Sequence, residues 1–403
     1  MQAALTSAVL LTLLVAYTMR QLEGLARRIY RNYMASFYAK LKQETTHTTH
    51  TNNQPLRIGL LGVAKIAPFA LLHPAHNLQT VISVLAVGAR NPSRAKRFAE
   101  RWSIPHHGDY LSVLSNPDID AVYVALVNGL HYEWAAAALR TGKHVLCEKP
   151  LSNNADEARS LDRLARSKGL VLAEAFHWAH HPAAHRVRQL VTSGELGHPL
   201  ILNVTAGMPS PDSILSAMGV HSKILPAKMN YALGGGNFMG QGCYTVSVAR
   251  FFLGEPTHIL MSEMVEGKPG SRADVSTRAK LAFSGGVVAE LRSSALSLGF
   301  NLHLELTKGK VSLINYLFPH IYHRIEVETA DGYRRVEKAY GNNEATFELQ
   351  LAAFYRAVRG HEPFPLSPDD SVANAEIIDK IYELGGLGIR PSRGVHQGGS
   401  VTL

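Results

Sequence analysis

Residues 59–67 (GLLGVAKIA) and residues 147–150 (CEKP) decide which fold this sequence predicts. The first stretch is an apolar strand that leads into a turn of small residues, the pattern that opens a dinucleotide-binding unit of strand, helix and strand. The second stretch ends a later strand, and parallel strands end at the same edge of their sheet. Lys149 is therefore predicted to lie at the edge where open α/β sheets bind nucleotides and where a nicotinamide ring would lie.

Outward from these stretches, strands and helices alternate with short loops between them. This order predicts a parallel sheet of five or six strands with helices on both faces, a Rossmann domain over residues 55–176. The predicted strands are residues 56–61, 81–87, 121–126, 144–147 and 171–175. The predicted helices are residues 65–72, 92–101, 110–115, 131–141 and 154–167.

Beyond residue 176 the pattern changes to alternating strands without helices between them. Such a pattern predicts a largely antiparallel open sheet with one face covered. The predicted strands are residues 200–205, 276–282, 286–293, 302–307 and 322–328, and the helices that follow are residues 344–359 and 369–384. The predicted fold class is therefore α/β, with a Rossmann domain, a second α/β domain over residues 177–392 and a tail over residues 393–403.

The composition is that of a folded globular protein, with 46% hydrophobic and 18% charged residues in 403. Two cysteines cannot build a disulfide framework in so long a chain, which favours a reducing compartment. The formal net charge is +9, and four of these charges lie between residues 20 and 44. The remainder is spread thinly, without a basic stripe interleaved with aromatic residues, so nucleic-acid binding is not predicted.

Residues 1–19 carry no charge, and their length is about the minimum for a helix that spans a bilayer. Four arginines between residues 20 and 31 follow, so the positive-inside tendency predicts that the rest of the chain lies on the cytoplasmic side. A basic amphipathic helix and a polar linker complete residues 1–54. This pattern predicts an anchor in an intracellular membrane. The alternatives are a mitochondrial presequence, an arm buried in an oligomer, and a cytoplasmic protein.

The turn after the first strand predicts a phosphate-binding loop. Gly62 allows a tight turn, and Ala64 and Ala67 are small enough for a pyrophosphate and a helix to approach the backbone. Gly62, Ala64, Lys65 and Ile66 are therefore candidate cofactor contacts. An ordinary turn between a strand and a helix is the alternative.

The end of the second strand indicates which dinucleotide binds. NAD sites carry an acid there for the ribose, whereas this sequence has Arg90, Ser93 and Arg94 and no acid. A guanidinium binds a phosphate through a bidentate pair of hydrogen bonds, and one such charge-assisted contact contributes about 1.5–3 kcal/mol. The pattern therefore predicts NADP rather than NAD, with a solvated helix face as the alternative role of Arg94.

Seven short stretches together form a recognisable pattern: residues 65–67 (KIA), 89–90 (AR), 128–131 (NGLH), 142–150 (GKHVLCEKP), 174–176 (EAF), 234–236 (GGG) and 367–370 (SPDD). With these stretches the sequence resembles the glucose-fructose oxidoreductase group of dehydrogenases, the Gfo/Idh/MocA family. The resemblance covers nearly all of residues 55–392. Within the family, the sequence is most similar to the NADP-dependent branch that contains dimeric dihydrodiol dehydrogenase and D-xylose 1-dehydrogenase.

The resemblance implies a C-terminal domain for substrate and homodimer contacts, and a catalytic pair at the end of the Rossmann sheet. Lys149 matches the family's catalytic lysine, and Tyr244 falls where this branch has its catalytic tyrosine. Asn128, His131 and Glu148 are implied as further cofactor contacts. A phenol is a poor base until an ammonium within about 4–6 Å favours its anion, so we expect Lys149 to lower the pKa of Tyr244.

Gly240 and Ala179 depart from the family pattern. Gly240 stands where the family normally has Asp, and Ala179 stands where many relatives carry Arg. The missing carboxylate removes a ligand for a substrate hydroxyl, or a charge that tunes the site. His177 and His180 follow the last Rossmann strand into the predicted cleft, and together with Gln241 they are candidate substrate contacts.

Three histidines raise the question of a metal site. His177, His181 and His185 recur every four residues, the spacing of ligands on one helix face. Pro182 interrupts that helix, and no carboxylate or cysteine cluster completes a set of four ligands, so no metal is predicted. Packing against the core is the alternative role of these side chains.

Together these features predict an NADP-dependent oxidoreductase that transfers hydride between the nicotinamide and a hydroxyl or carbonyl carbon. The substrate class that the resemblance implies is a sugar, a polyol or a trans-dihydrodiol. The alternative is a catalytically weak NAD(P)-binding sensor or regulator of the same fold. The presence of both Lys149 and Tyr244 favours catalysis, whereas Gly240 favours the sensor.

Overall fold

The structure is a computed structural model that describes residues 54–209, 227–338 and 345–392. The predicted anchor over residues 1–19 lies outside these ranges, as do the basic helix and the linker that follow it up to residue 53. The predicted tail over residues 393–403 lies outside them as well.

The predicted attachment to a membrane is corrected. Within the three described ranges, no helix combines the length and the apolar character that crossing a bilayer requires. The predictions of a transmembrane helix and of a membrane localisation are therefore not supported by the described residues. The anchor on which both depended was predicted over residues 1–19, which are not among the described residues.

Six parallel strands form the first sheet. They are β1 (Leu56–Leu61), β2 (Ile82–Gly88), β3 (His106–Gly108), β4 (Ala121–Val124), β5 (His144–Cys147) and β6 (Leu172–Glu174). Their order is β3-β2-β1-β4-β5-β6, so the strand order reverses between β1 and β4, where doubly wound sheets bind ligands. Nearly all side chains of β1, β4 and β5 are buried, because helices cover both faces. The predicted Rossmann sheet is confirmed.

Five helices accompany these strands. They are α1 (His73–Asn77), which continues a π-helical turn over Pro68–Leu72, α2 (Pro92–Trp102), α3 (Tyr110–Leu114), α4 (His131–Arg140) and α5 (Ala155–Lys168). Asparagine side chains cap two of them: Asn91 accepts the N–H of Ser93 at 3.0 Å, and Asn154 accepts that of Glu157 at 3.1 Å. The first helix begins later than predicted, because Pro68 suits a first helical turn.

Eight strands form the second sheet. They are β7 (Pro199–Gly207), β8 (His258–Glu266), β9 (Asp274–Ala282), β10 (Val288–Ser294), β11 (Gly299–Leu306), β12 (Gly309–Ile314), β13 (Arg324–Thr329) and β14 (Arg334–Lys338). Their order is β14-β13-β12-β11-β7-β10-β9-β8. Strands β7 and β10 pair in parallel, and the other neighbouring pairs are antiparallel. The sheet is open and largely antiparallel, as predicted.

The sequence predicted alternating strands without helices between them beyond residue 176, and this is wrong. The region contains helices α6 (Pro182–Thr192) and α7 (Cys243–Leu253). Helix α7 lies between β7 and β8 in the chain and packs against β7 and β10. Its sequence, CYTVSVARFFL, is rich in β-branched and aromatic residues, which favour strands. It is a helix because a π-helical turn, Phe238–Gly242, leads directly into it and nearly every side chain is buried.

The last two helices are α8 (Thr346–Val358) and α9 (Pro368–Leu384). Helix α8 returns to the first sheet, where Phe347, Leu351 and Phe354 are buried in one core with the apolar side chains of β1. Helix α9 packs against α5, α7 and β8. The C-terminal part of the chain thus completes the packing of both sheets.

We expect Gly62→Ala to destabilise the protein more than Gly142→Ala. Both glycines have a positive φ, 108° and 78°, so alanine strains the backbone at either position. A Cβ at Gly62 would lie 2.3 Å from the carbonyl oxygen of Ala125, whereas a Cβ at Gly142 meets no atom within 4 Å. The expected losses in unfolding free energy are about 1–2 kcal/mol for Gly142→Ala and about 3–5 kcal/mol for Gly62→Ala. Urea unfolding measures both, and equal losses would contradict this close approach.

Candidate active site

The loop between β1 and α1 has the features of a phosphate site. The N–H of Gly62 donates to the carbonyl of Gly88 at 2.8 Å, which ties the loop to the end of β2. Within the described residues, the amides of Ala64, Lys65 and Ile66 donate to no backbone carbonyl. Successive amides in such a turn form an anion-binding concavity. The side chain of Lys65 is exposed, and that of Ala64 is half-buried.

The end of β2 leads into the residues that are predicted to bind the ribose phosphate. Arg90, Ser93 and Arg94 are all exposed, and no acidic residue lies between β2 and the first turn of α2. The side chain of Asn91 is occupied in capping α2. Because the carbonyl of Gly88 also holds the phosphate loop, the two predicted cofactor segments meet at one edge of the sheet.

A cavity of about 310 Å³ opens where β1, β4 and β5 end. One side is formed by residues that follow these strands: Ile66, Leu126, Asn128, His131, Glu148 and Lys149. The other side is formed by residues that follow β6 in the chain: His177, Gln241, Tyr244, Phe300, Phe318 and Phe347. The predicted pair, Lys149 and Tyr244, therefore lines a single cavity.

Lys149 follows β5 directly and reaches across to the second half of the cavity. Its Nζ donates to the carbonyl oxygen of Gly240 at 2.5 Å and lies 4.5 Å from the centroid of the Tyr244 ring. The ammonium therefore contacts the face of the ring. A Cβ at Gly240 would meet no atom within 4 Å, so there is room for a side chain beside Lys149.

Tyr244 is buried in helix α7, with 4% of its surface exposed. Its hydroxyl oxygen lies 3.5 Å from Nε2 of His177. Burial raises the pKa of Tyr244 well above its usual value, and the charge of Glu148 acts in the same direction. The expected lowering of the pKa of Tyr244 is therefore wrong for this arrangement, because burial of the phenol has the largest effect on its pKa.

Glu148 and His131 hold the loops around the lysine. The Glu148 carboxylate accepts a hydrogen bond from the hydroxyl of Tyr123. Burial raises the pKa of Glu148, and the charge of Lys149 opposes this shift. The ring nitrogens of His131 lie 2.7 Å from the carbonyl oxygen of Pro150 and 3.1 Å from that of Leu126. His131 thus links the ends of β4 and β5 while it lines the cavity.

Three other predicted residues have their polar groups engaged or lie elsewhere. Asn128 donates to the carbonyl of Gly234 at 3.0 Å, and the Gln241 amide exchanges two hydrogen bonds with the backbone of Met208. Both residues line the cavity. His180 is not among its lining residues, since its ring packs against Phe364 with 5.1 Å between the centroids.

The sequence did not identify the aromatic wall of the cavity or the acid behind the lysine. Phe300, Phe318 and Phe347 come from β11, the segment before β13, and α8, so no local spacing relates them. Glu174 accepts the N–H of Leu151 at 2.8 Å, and burial raises the pKa of Glu174 to about 7. Its place in the EAF stretch was the signal that could have identified it.

The three histidines with regular spacing do not converge on one point. His177 lines the cavity, whereas Nδ1 of His181 accepts the N–H of Ala183 at 3.1 Å and caps α6. No cluster of three or more metal-ligating side chains occurs in the part of the chain that the structure describes. The three histidines do not share one helix face, because α6 begins only at Pro182, after two of them.

Two family models match most of the described chain. The oxidoreductase family GFO_IDH_MocA, with an NAD-binding Rossmann fold, matches residues 56–176. The GFO/IDH/MocA C-terminal domain matches residues 184–312. The first match covers the six-stranded sheet, and the second covers most of the eight-stranded sheet.

Individual relatives are similar over most of their own length. The dTDP-3,4-didehydro-2,6-dideoxy-alpha-D-glucose 3-reductase of Saccharopolyspora spinosa is 38% identical over 59% of this chain and 68% of its own. The D-xylose 1-dehydrogenase (NADP(+)) 2 of Haloferax volcanii is 29% identical over 81% and 97%, respectively. A solved 3-ketoreductase from Actinomadura kijaniata, in complex with NADP and TDP-benzene, has a TM-score of 0.73 at 26% identity, over 82% of this chain and 98% of its own.

We expect His180→Leu to reduce the loss of stability in acid. Burial lowers the pKa of His180 to about 3, and within the described residues its Nε2 has no hydrogen-bond partner. The unfolded chain therefore binds a proton below about pH 6.5 that the folded protein does not bind, so stability falls as the pH decreases. Between about pH 6.5 and 5 this loss amounts to about 1.6 kcal/mol, which the variant should not show.

Urea unfolding at both pH values measures the difference for His180→Leu. His198→Leu, which replaces an exposed histidine, is the control and should follow the wild type. An unchanged acid response in His180→Leu would contradict a buried neutral imidazole at this position.

Proposed function

The chain belongs to the Gfo/Idh/MocA family of oxidoreductases, and we propose that it transfers hydride between NADP and a carbon of a small sugar, polyol or diol. That carbon carries a hydroxyl group when it is to be oxidised, and it is a carbonyl carbon when it is to be reduced. One observation carries the proposal: Lys149 and Tyr244 line the same cavity at the carboxyl edge of the Rossmann sheet. Relatives of this fold include a sugar reductase and an NADP-dependent xylose dehydrogenase, which supports this class of reaction.

The residues at the edge of the first sheet fit NADP. Gly62 brings the loop closer to the end of β4 than any side chain would allow, and the following amides are not engaged by backbone carbonyls of the described residues. Arg90 and Arg94 supply guanidinium groups for a 2′-phosphate, with no acid nearby in sequence to repel it. When bound, the nicotinamide accepts or donates the hydride.

Lys149 and Tyr244 act on the oxygen of the substrate. The Lys149 ammonium has three N–H donors. One of them donates a hydrogen bond to the carbonyl oxygen of Gly240, and this bond fixes the direction of the other two. A fixed cation in a site that excludes water stabilises the negative charge that develops on the reacting oxygen. Tyr244 gives a proton to this oxygen during reduction and takes it back during oxidation.

The lining of the cavity favours a small uncharged ring as the substrate. The volume of about 310 Å³ has to hold both the nicotinamide and the substrate, which leaves room for roughly one ring. Phe300, Phe318 and Phe347 offer an apolar wall to the face of that ring, while Lys149 binds its polar edge. With Gly240 in place of Asp, one side chain fewer binds its hydroxyl groups.

We expect Lys149→Met and Tyr244→Phe to lower kcat strongly while NADPH binding persists. Both substitutions preserve much of the side-chain volume but remove the cation or the exchangeable proton. Loss of general acid catalysis lowers kcat by about 10²–10⁴-fold. The measurement is NADPH oxidation and NADP reduction with a panel of aldoses, ketoses, polyols and trans-diols, with NADPH fluorescence titration as the binding control.

Two results of this experiment would contradict the proposal. Wild-type turnover in both variants would show that neither Lys149 nor Tyr244 takes part in the reaction. Tight NADPH binding by the wild type without turnover of any compound in the panel would favour the alternative, a sensor that binds the cofactor.

We expect Arg90→Ala to weaken the binding of NADP far more than that of NAD. The guanidinium would contact the 2′-phosphate, which NAD lacks, and one such contact is worth about 10–100-fold in affinity. Arg97→Ala replaces an exposed arginine on α2, the helix that follows Arg90, and is the matched control. Titration of each variant with both cofactors measures the effect. Equal losses for NADP and NAD would exclude this assignment of Arg90.

A further inference from the structure

The hydroxyl of Tyr244 faces a histidine rather than the lysine. Nε2 of His177 lies 3.5 Å from the Tyr244 oxygen, whereas the Lys149 ammonium lies over the ring. Packing orients both rings: the His177 ring lies 4.0 Å from that of Phe347 between centroids, and Tyr244 makes an edge contact with Phe176 at 5.5 Å. The two side chains are therefore held in one orientation relative to each other.

The other ring nitrogen of His177 is held by a threonine. Nδ1 lies 2.8 Å from Oγ1 of Thr346, the first residue of α8. Both side chains are buried, with 3% and 0% of their surface exposed. Within the described residues, the Thr346 hydroxyl makes no second hydrogen bond. A hydroxyl that donates to one ring nitrogen places the ring proton on the other nitrogen.

His177 is a neutral imidazole in this setting. Burial lowers the pKa of His177 well below its usual value. Three neighbouring basic groups act in the same direction: His320, Lys149 and His180. A neutral imidazole has one N–H donor and one acceptor nitrogen. When the Thr346 hydroxyl donates to Nδ1, the ring proton is on Nε2 and faces the oxygen of Tyr244.

We propose that His177 is a catalytic residue, a neutral N–H donor that stabilises the phenolate of Tyr244, and that Thr346 is the positioning residue that sets its tautomer. The inference rests on the proposed function. During reduction the carbonyl carbon receives hydride from NADPH, and the carbonyl oxygen forms an O–H bond with the proton of Tyr244. The electron pair of the broken O–H bond stays on the Tyr244 oxygen, to which Nε2–H of His177 donates. Water returns a proton to Tyr244 after the product leaves.

A neutral donor suits this position better than a second cation. Lys149 already supplies one positive charge at the ring, and a further buried charge would be costly. A donor that packing holds in place stabilises charge that appears only during the reaction. Such an interaction lowers the barrier without strengthening substrate binding, so it affects kcat rather than KM.

The first test compares Thr346→Val, which removes the hydroxyl, with Thr346→Ser, which retains it. For NADPH-dependent reduction by the full-length enzyme, we expect Thr346→Val to lower kcat about 10–100-fold with KM changed less than about threefold. Thr346→Ser should stay within about threefold of the wild type. In the Tyr244→Phe background, Thr346→Val should cause no further loss, because the effect acts through the phenol. Wild-type kcat in Thr346→Val, or an additive loss in that background, overturns the proposal.

The second test identifies the tautomer without any substrate. Nitrogen-15 NMR of the full-length protein with labelled histidine should contain one ring signal that is absent in His177→Phe. At about pH 7 this signal should show a neutral ring with the proton on Nε2, and in Thr346→Val it should shift toward a mixture of tautomers. A ring with the proton on Nδ1, or a charged ring, overturns the proposal.

The two tests separate this inference from the proposed function. The proposed function fails when the wild type turns over no compound of the panel, or when Lys149→Met and Tyr244→Phe keep wild-type rates. The inference about His177 fails on its own when those two variants show the expected loss of kcat but Thr346→Val retains kcat, or when the NMR signal shows the other tautomer.

Discussion

The contact between the Lys149 ammonium and the Gly240 carbonyl joins the two sheets at the site, and the geometry of the cavity depends on it. Each partner is held from behind by a buried carboxylate. Glu174 accepts the backbone N–H two residues after Lys149, and Asp274 accepts the N–H of Phe238 at 2.8 Å in the turn that carries Gly240. Neither acid lines the cavity, yet both decide where its polar groups lie. Asp274 also accepts hydrogen bonds from the hydroxyls of Thr277 and Tyr382, so this buried acid is engaged by three donors at the point where the halves meet.

The same contact divides the chemistry between two groups. The Lys149 ammonium lies over the Tyr244 ring and donates to a backbone carbonyl, so in the proposed reaction it acts on the substrate oxygen rather than on the phenol. The phenol then needs another partner in the apolar interior, and His177 is the polar side chain at its oxygen. Gly240 is consistent with this division, since a carboxylate at that position would lie close to the ammonium and reduce its effect on a substrate.

The sequence predicted the first sheet well and indicated Lys149 and Tyr244, which line one cavity, and the reasons for its failures are physical. The strands of the Rossmann sheet are apolar runs that are buried on both faces, so composition alone indicates them, whereas β3 has three residues and two exposed histidines. Helix α7 has the residues of a strand, and its surroundings override that preference. Lys149 and Tyr244 came from resemblance to a family. Thr346, the partner of His177, was not predicted, because it lies 169 residues away and no local spacing connects the two residues.

The contact between His177 and Thr346 also explains why the end of the chain matters to the site. Thr346 opens α8, and the apolar face of α8 is buried in the core of the first sheet with β1. A change that loosens this packing would move the hydroxyl that orients His177, although it lies far from Lys149 in sequence. In the proposed mechanism, the proton chemistry at Tyr244 therefore depends on a helix that belongs to the Rossmann core in space and to the C-terminal region in sequence. That dependence explains how a side chain outside the recognisable motifs of this chain can set the rate of the reaction proposed for it.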